Sequence, residues 1–248
     1  MKKKILGILS VLMLMLLFVG CGGEKKVEDK KAPIYVGTNA EFPPFEYLEN
    51  GVVVGFDADL IAALGKVMGR EIVIKDMSFD GLLPALQTKK VDVVIAGMTA
   101  TKEREKTVNF STPYYSANQV IIVPEDNQEI KSFEDLNGKK VGVMLGFTGD
   151  VVVSEMPNVN VQRFNAAYGG IMALQGQKVD AVVLDSETAK NYVAKNPGLK
   201  IAEGQGEAED YAIAVRKGDK ELLDEINSAI ETIKENGTFS EILEKHFN

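Results

Sequence analysis

Arg104 lies in the stretch GMTATKEREKTVNFSTPYY, residues 97–115, between Glu103 and Glu105. An apolar run, Val91 to Ala96, leads into Gly97, and Thr99 and Thr101 follow. The run reads as a buried parallel strand, and the segment after it as a helix capped by Thr101. Small polar groups, a fresh helix N-terminus and a guanidinium therefore meet at the end of a buried strand. That combination suits a carboxylate. A guanidinium is a rigid double donor that stays charged at any working pH. The turn through Gly97, Met98 and Thr99, with the helix behind it, adds backbone N–H groups and a favourable dipole end. Thr99 adds a hydroxyl. The plainer alternative for Arg104 is an exposed charge in a mixed helical run.

Asp185 follows a second apolar strand, VDAVV, and ligands of open sheets bind outside the carboxyl ends of strands. A carboxylate there can hold an ammonium, cap the helix beginning SETAK, or do both. Asp92 and Asp180 begin strands and read as structural. Asp57 and Asp59 sit at a helix start and read as caps without a direct ligand role. Catalysis finds little support. The sole histidine, His246, is two residues from the C-terminus. No Ser-His pair, Cys-His pair or multi-histidine zinc site can be built from it. GVMLGFTGD contains glycines but lacks the spacing and lysine of a phosphate-binding loop.

The elements that must position these groups alternate. From Ile34 the order is strand (IYVGT), helix (DADLIAALGKVMG, closed by Gly69), strand (EIVIKDM), helix (FDGLLPALQTKK) and strand (VDVVIAG). A second series starts near Lys139 with KVGVML, a helix from Thr148, VNVQRF, a helix over AAYGGIMALQG, VDAVVLD and a helix over SETAKNYVAK. Such alternation predicts parallel sheets with helices on both faces and right-handed crossovers. ALQTKKVDVV (85–94) and ALQGQKVDAV (173–182) agree at seven of ten positions with an offset of 88. This supports two α/β lobes of similar build. YAIAVRK then reads as a strand. The long helix KELLDEINSAIETIKENG carries Leu222, Leu223, Ile226, Ile230 and Ile233 at helical spacing, with Gly237 as a stop signal. This return is expected to pack on the first lobe. Two crossing strands, near 114–120 and 208–214, would then form a hinge. The boundaries read as 33–117 plus 213–248 for the first lobe and 118–212 for the second.

The 248 residues suffice for such a core, and 45% hydrophobic with 26% charged residues is ordinary globular composition. The N-terminus differs. MKKK is a positive n-region, Ile5 to Gly20 is apolar, and Cys21 is the only cysteine. These features describe an exported precursor cut before Cys21, which would carry lipid. Residues 1–20 are then the signal peptide and 21–32 the lipidated Cys21 with a flexible, charged tether. No internal disulfide can form from one cysteine. Losing Lys2, Lys3 and Lys4 takes the formal charge from −8 to −11. An acidic chain argues against nucleic acid as a partner.

The chain resembles the family-3 solute-binding proteins of ABC transporters, the polar amino-acid binders. GFDADL (55–60) is close to that family's signature, with Ala58 where a larger apolar residue or Thr is usual. GTNAEFPPFEY (37–47) resembles the first binding loop, AGMTATKERE (96–105) the carboxylate site, GFTGD (146–150) the second-lobe loop, and VLD (183–185) the ammonium site. The likeness implies a type II periplasmic-binding-protein fold: two lobes, each a mostly parallel sheet flanked by helices, on a two-strand hinge. It implies an extracytoplasmic, lipid-anchored monomer that captures a free amino acid and hands it to an ABC permease driven by an ATPase, without cofactor or metal. Arg104, with Gly97, Met98 and Thr99, would hold the ligand carboxylate, helped by Thr148 from the second lobe. Asp185 would hold the ammonium. Phe42 and Phe79 would be aromatic walls for the ligand side chain. Asn39 and Glu41 fall where its far end is read, and Asn39 departs from the Asp common there. Phe147 stands where Ser or Thr is usual. A basic amino acid, arginine or lysine, is the implied ligand, with glutamine or another neutral polar amino acid as runner-up. A cyclohexadienyl-dehydratase-like enzyme and a sensor are the other readings on this fold.

Overall fold

The structure is a computed structural model that describes residues 31–247. The expected signal peptide and Cys21 lie outside the described residues. Among the described residues no helix is long and apolar enough to cross a membrane.

The chain opens with β1 (Ile34–Thr38), a small antiparallel sheet of β2 (Glu41–Phe42), β3 (Glu46–Glu49) and β4 (Val52–Val54), and α1 (Phe56–Met68). There follow β5 (Ile72–Asp76), α2 (Phe79–Gln87), β6 (Val93–Val94), the single turn α3 (Lys102–Glu105) and β7 (Val108–Phe110). The chain then crosses into β8 (Tyr115–Pro124), β9 (Lys140–Met144), α4 (Thr148–Glu155), β10 (Asn160–Phe164), α5 (Ala167–Gln175), β11 (Ala181–Asp185), α6 (Ser186–Lys195) and β12 (Leu199–Tyr211). It returns through β13 (Ala214–Arg216), α7 (Lys220–Glu235) and α8 (Thr238–Phe247).

Two five-stranded sheets share one plan. The first runs β5-β1-β6-β13-β7 and the second β10-β9-β11-β8-β12. In each, the first three strands are parallel and the fourth is antiparallel to both its neighbours. Four of the five strands therefore point the same way, as the alternation predicted. The sequence echo falls on equivalent places. Asp92 Oδ2 accepts from Tyr35 N at 3.0 Å, and Asp180 Oδ2 accepts from Lys140 N at 2.8 Å, each tying the start of a third strand to its neighbour. Lys89 and Gln177, 88 residues apart, both take the left-handed conformation, with φ 62 and 55. The two aspartates are structural, as read.

Burial explains the elements. Val91, Val93, Val94, Ile95 and Ala96 are all buried, the continuous apolar run of a strand covered on both faces. Helix α1 buries Leu60, Ile61, Leu64 and Met68 at helical spacing and stops at Gly69 in the left-handed conformation. Helix α7 buries Leu222, Ile226, Ala229, Ile230 and Ile233 and packs on α1, so the chain's return does cover the first lobe.

Three features were not legible beforehand. The β2–β4 hairpins lie in a segment that reads as loop around Pro43 and Pro44. The 13-residue β12 is rich in Gly and Glu and is held by pairing with β8 rather than by apolar pattern. The expected strand 211–217 is divided: Tyr211 ends β12, Ala212 and Ile213 cross, and β13 begins at Ala214. Lys31 and Ala32, read as tether, are tied down. Lys31 Nζ meets Glu225 at 2.5 Å, and Arg70 Nε donates to the Ala32 carbonyl at 3.0 Å.

The two crossings run side by side. Tyr115 pairs with Tyr211, and Tyr114 N donates to the Tyr211 carbonyl at 2.9 Å. Ala100 N donates to the Asp210 carbonyl at 2.9 Å and Ala212 N to the Met98 carbonyl at 3.0 Å. The turn after β6 is thereby stitched to the crossing strand.

Candidate functional site

The carboxyl ends of β6 and β11 occupy equivalent positions in the two sheets, and Gly97 and Asp185 stand there. Thr101 caps α3 as expected, its hydroxyl accepting from Arg104 N at 3.2 Å. The cap fixes the backbone from which Arg104 reaches inward. Its Nη1 donates to the Thr99 carbonyl at 2.8 Å and its Nη2 to the Gly146 carbonyl, in the other lobe, at 3.0 Å. The guanidinium also lies over the Phe79 ring, 5.2 Å from its centroid. Arg104 is thus no exposed helix charge. Burial pulls its pKa down, while Asp185, Glu209 and Tyr211 pull it back up.

Asp185 is buried at the N-terminus of α6 but makes no side-chain cap. Its carboxylate instead accepts from the Tyr211 hydroxyl. Its pKa is raised to about 6, chiefly by burial and also by Glu209, against the Tyr211 hydrogen bond, Gln119 and Arg104.

A second acid completes the group. Glu209 Oε2 accepts from Thr99 Oγ1 at 2.9 Å, Thr148 Oγ1 at 2.5 Å and Gln119 Nε2 at 3.3 Å. Gln119 Nε2 also donates to Thr148 Oγ1 at 3.1 Å. Thr99, Arg104, Thr148 and Asp185, chosen from the sequence, are brought together here. Gln119, Glu209 and Tyr211 were missed, because β8 and β12 carry no motif that separates a site residue from a strand residue.

The aromatic walls also converge, but Phe147 fills the space beside them. Its ring stacks on Phe79 with centroids 3.7 Å apart and tilts against Phe42 at 5.0 Å. Phe42 is fully buried under the left-handed Gly97, where a Cβ would stand 2.8 Å from the ring. Only glycine fits there.

Three expectations change in detail. The Gly97 N–H donates to Asp57 Oδ2 at 2.8 Å, so it serves the fold. The Met98 side chain is buried in the core. Asp57 is not a cap: it is fully buried and also accepts from the Tyr114 hydroxyl at 2.9 Å. Asp59 pairs with Lys245 and His246 at 2.6 and 2.7 Å, clipping α8 to α1. Beside Asp57 lies Glu46, fully buried, with its pKa raised well above the carboxylate range by burial and by Asp57. Among the described residues both Glu46 oxygens and Asp57 Oδ1 lack partners when the two carboxyls are counted as acceptors. One proton on Glu46, donated to Asp57 Oδ1, would satisfy two of these three atoms. This neutral acid beside an ionised one supports Gly97 from below.

Asn39 follows β1 and Glu41 opens β2. Asn39 is buried and its Nδ2 donates to the Met77 carbonyl at 3.0 Å, leaving Oδ1 without a partner among the described residues. Glu41 is largely exposed, and its partial desolvation and Asp76 raise its pKa. A surface hollow of about 790 Å³ beside Val108, Ser111 and Lys217 includes none of these residues.

The family model for bacterial extracellular solute-binding proteins, family 3, matches residues 34–248. The chain belongs to this family. It is 35% identical to the arginine-binding extracellular protein ArtP of Bacillus subtilis over 99% of this chain and 98% of that one. An ancestral arginine-binding protein bound to arginine superposes with a TM-score of 0.85 at 48% identity, covering 88% of this chain and all of the other. An ancestral arginine-binding protein bound to glutamine gives a TM-score of 0.84 at 49% identity over 88% and 98% of the two chains. ArtJ of Geobacillus stearothermophilus, an arginine-, lysine- and histidine-binding protein, gives 0.82 at 35% identity over 87% and 95%. The two sheet-containing lobes are those of the periplasmic binding proteins.

Proposed function

We propose that this chain captures a free basic amino acid, arginine first, outside the cytoplasm and delivers it to an ABC permease. One observation carries the reading. Hydroxyls of Thr99 and Thr148, from opposite lobes, already converge on a carboxylate, beside a buried guanidinium and a buried aspartate. That is the donor set of an α-carboxylate next to the acceptor of an α-ammonium. Arg104 would supply the charge and Asp185 the counter-charge. Met98 and Thr99 would offer the backbone N–H groups that Gly97 does not. Phe42 and Phe79 would line the ligand's methylenes. Asn39 Oδ1, without a partner among the described residues, and the carboxylate of Glu41 would favour a donor-rich, cationic side chain over an apolar one. The relatives that bind arginine, lysine and histidine support the same class.

In this reading residues 33–117 with 213–248 form one lobe and 118–212 the other, and the paired crossings flex as they close. Closure excludes water and strengthens each charged contact. The lipid on Cys21 would hold the protein at the membrane near its permease. Nothing in the site calls for catalysis, and we read the chain as a binder.

The test is a thermal-shift screen of the purified protein, stripped of ligand by unfolding and refolding. Arginine, lysine, histidine, ornithine and glutamine are added in turn. A ligand at about a thousand times Kd adds roughly 4 kcal/mol, a shift on the order of 10 °C. A shift with basic amino acids supports the reading. A shift with glutamine alone removes the basic preference, and none with any amino acid removes the function.

A further inference from the structure

Glu209 differs from the other acids of β12. Its Oε2 is held at once by Thr99 of the first lobe, Thr148 of the second and Gln119 of the crossing strand, at 2.9, 2.5 and 3.3 Å. The two hydroxyls are those an amino acid's carboxylate would use under the reading above, on which this inference rests. A carboxylate belonging to the chain already fills their position. The apolar part of the site is filled in the same manner. Phe147 lies at 3.7 Å on Phe79 and at 5.0 Å from Phe42, where a ligand side chain would stack. We propose that Glu209 is a tethered competitor of the ligand, an affinity-setting residue whose carboxylate holds the two lobes together in place of the amino acid's own.

Glu209 itself pairs in regular register with Ala117, after the two register shifts of β12 on β8 between Ile201 and Gln205 and between Gln205 and Ala208. Its carboxylate would therefore leave the cradle by side-chain rotation while the strand stays paired. A carboxylate accepting from two hydroxyls and an amide is held by charge-assisted bonds, about twice as strong as neutral ones. Every molecule in which Glu209 occupies the cradle is closed to ligand, so the apparent affinity falls with that fraction.

Glu209→Gln keeps the shape and removes the charge, and Glu209→Ala removes the carboxylate. Both are compared with the wild type after stripping, by small-angle X-ray scattering without ligand and by titration with arginine. The expected result is a compact wild type, both variants expanded without ligand, and an arginine Kd lower by roughly tenfold. An unchanged radius of gyration without ligand overturns the proposal. So does an arginine Kd that is equal or higher, the mark of a Glu209 that grips the ligand's ammonium instead. Expansion without ligand in both variants, combined with no binding of any amino acid by any form, keeps Glu209 as the tie between the lobes but overturns its competition together with the ligand reading.

Discussion

Phe147, at the start of α4 in the second lobe, lies flat on Phe79, at the start of α2 in the first, with ring centroids 3.7 Å apart. Neighbouring Gly146 gives its carbonyl to Arg104 at 3.0 Å. A loop of one lobe is thereby inserted into the charged and aromatic face of the other. Stacked aromatic pairs contribute about 1 kcal/mol beyond the area they bury. Phe147→Ala should lower the melting temperature without ligand by several degrees and expand the protein in solution scattering. A compact, equally stable variant would show that the stack does not hold the lobes.

Arg104 joins both lobes through carbonyls and faces Asp185 and Glu209. Arg104→Ala should reduce arginine affinity by on the order of a hundredfold or more, since bonds to charged groups contribute about 1.5–3 kcal/mol each. Arg104→Lys keeps a charge but not the planar fork, and should still lose at least about tenfold. Titration calorimetry on variants with wild-type circular dichroism measures both. Unchanged affinity in the alanine variant would remove Arg104 from the site.

Asp185 links stability to pH. Its folded pKa is raised to about 6, so between the ordinary carboxylate range and about 6 the folded protein holds a proton that the unfolded chain has released. Stability therefore falls as pH rises through that window and is level above it, by up to roughly 3 kcal/mol for a two-unit displacement. Asp57, also raised to about 6, adds a slope of the same sign. Asp185→Asn should remove part of the slope between pH 4 and 6 and melt higher than wild type at pH 7.5. It should nevertheless bind arginine more weakly. Melting curves against pH read the first effect and calorimetry the second.

Glu46 and Asp57 should answer differently to the same amide substitution. Glu46→Gln replaces a protonated acid with another donor and should cost little. Asp57→Asn weakens the acceptor of the Gly97 N–H and the Tyr114 hydroxyl and should cost about 1.5–3 kcal/mol. Denaturant unfolding of both variants measures this, and equal costs would contradict a proton resident on Glu46.

Much of this was legible in the sequence for physical reasons. Buried strands such as Val91 to Ala96 and helices such as α1 announce themselves through apolar runs and spacing. The repeated ALQ and KVD segments announced two lobes before any strand order was known. Thr99, Arg104, Thr148 and Asp185 were found because each stands where a strand ends or a helix begins. The limits are equally physical. Asp57 looked like a cap because a short acid at a helix start usually is one, and only the fold brings Gly97 above it. Glu209 sits in a glycine- and glutamate-rich strand whose pairing partner is some ninety residues away. Phe147 could be placed in the loop but not turned toward Phe79 from its neighbours alone.

The most direct test of the central claim is calorimetric titration of arginine into the stripped wild-type protein. The account predicts saturable, one-to-one binding that glycine does not reproduce and that Arg104→Ala weakens by on the order of a hundredfold or more. Absence of heat with arginine, lysine and histidine alike, from a protein that melts cooperatively, would contradict it.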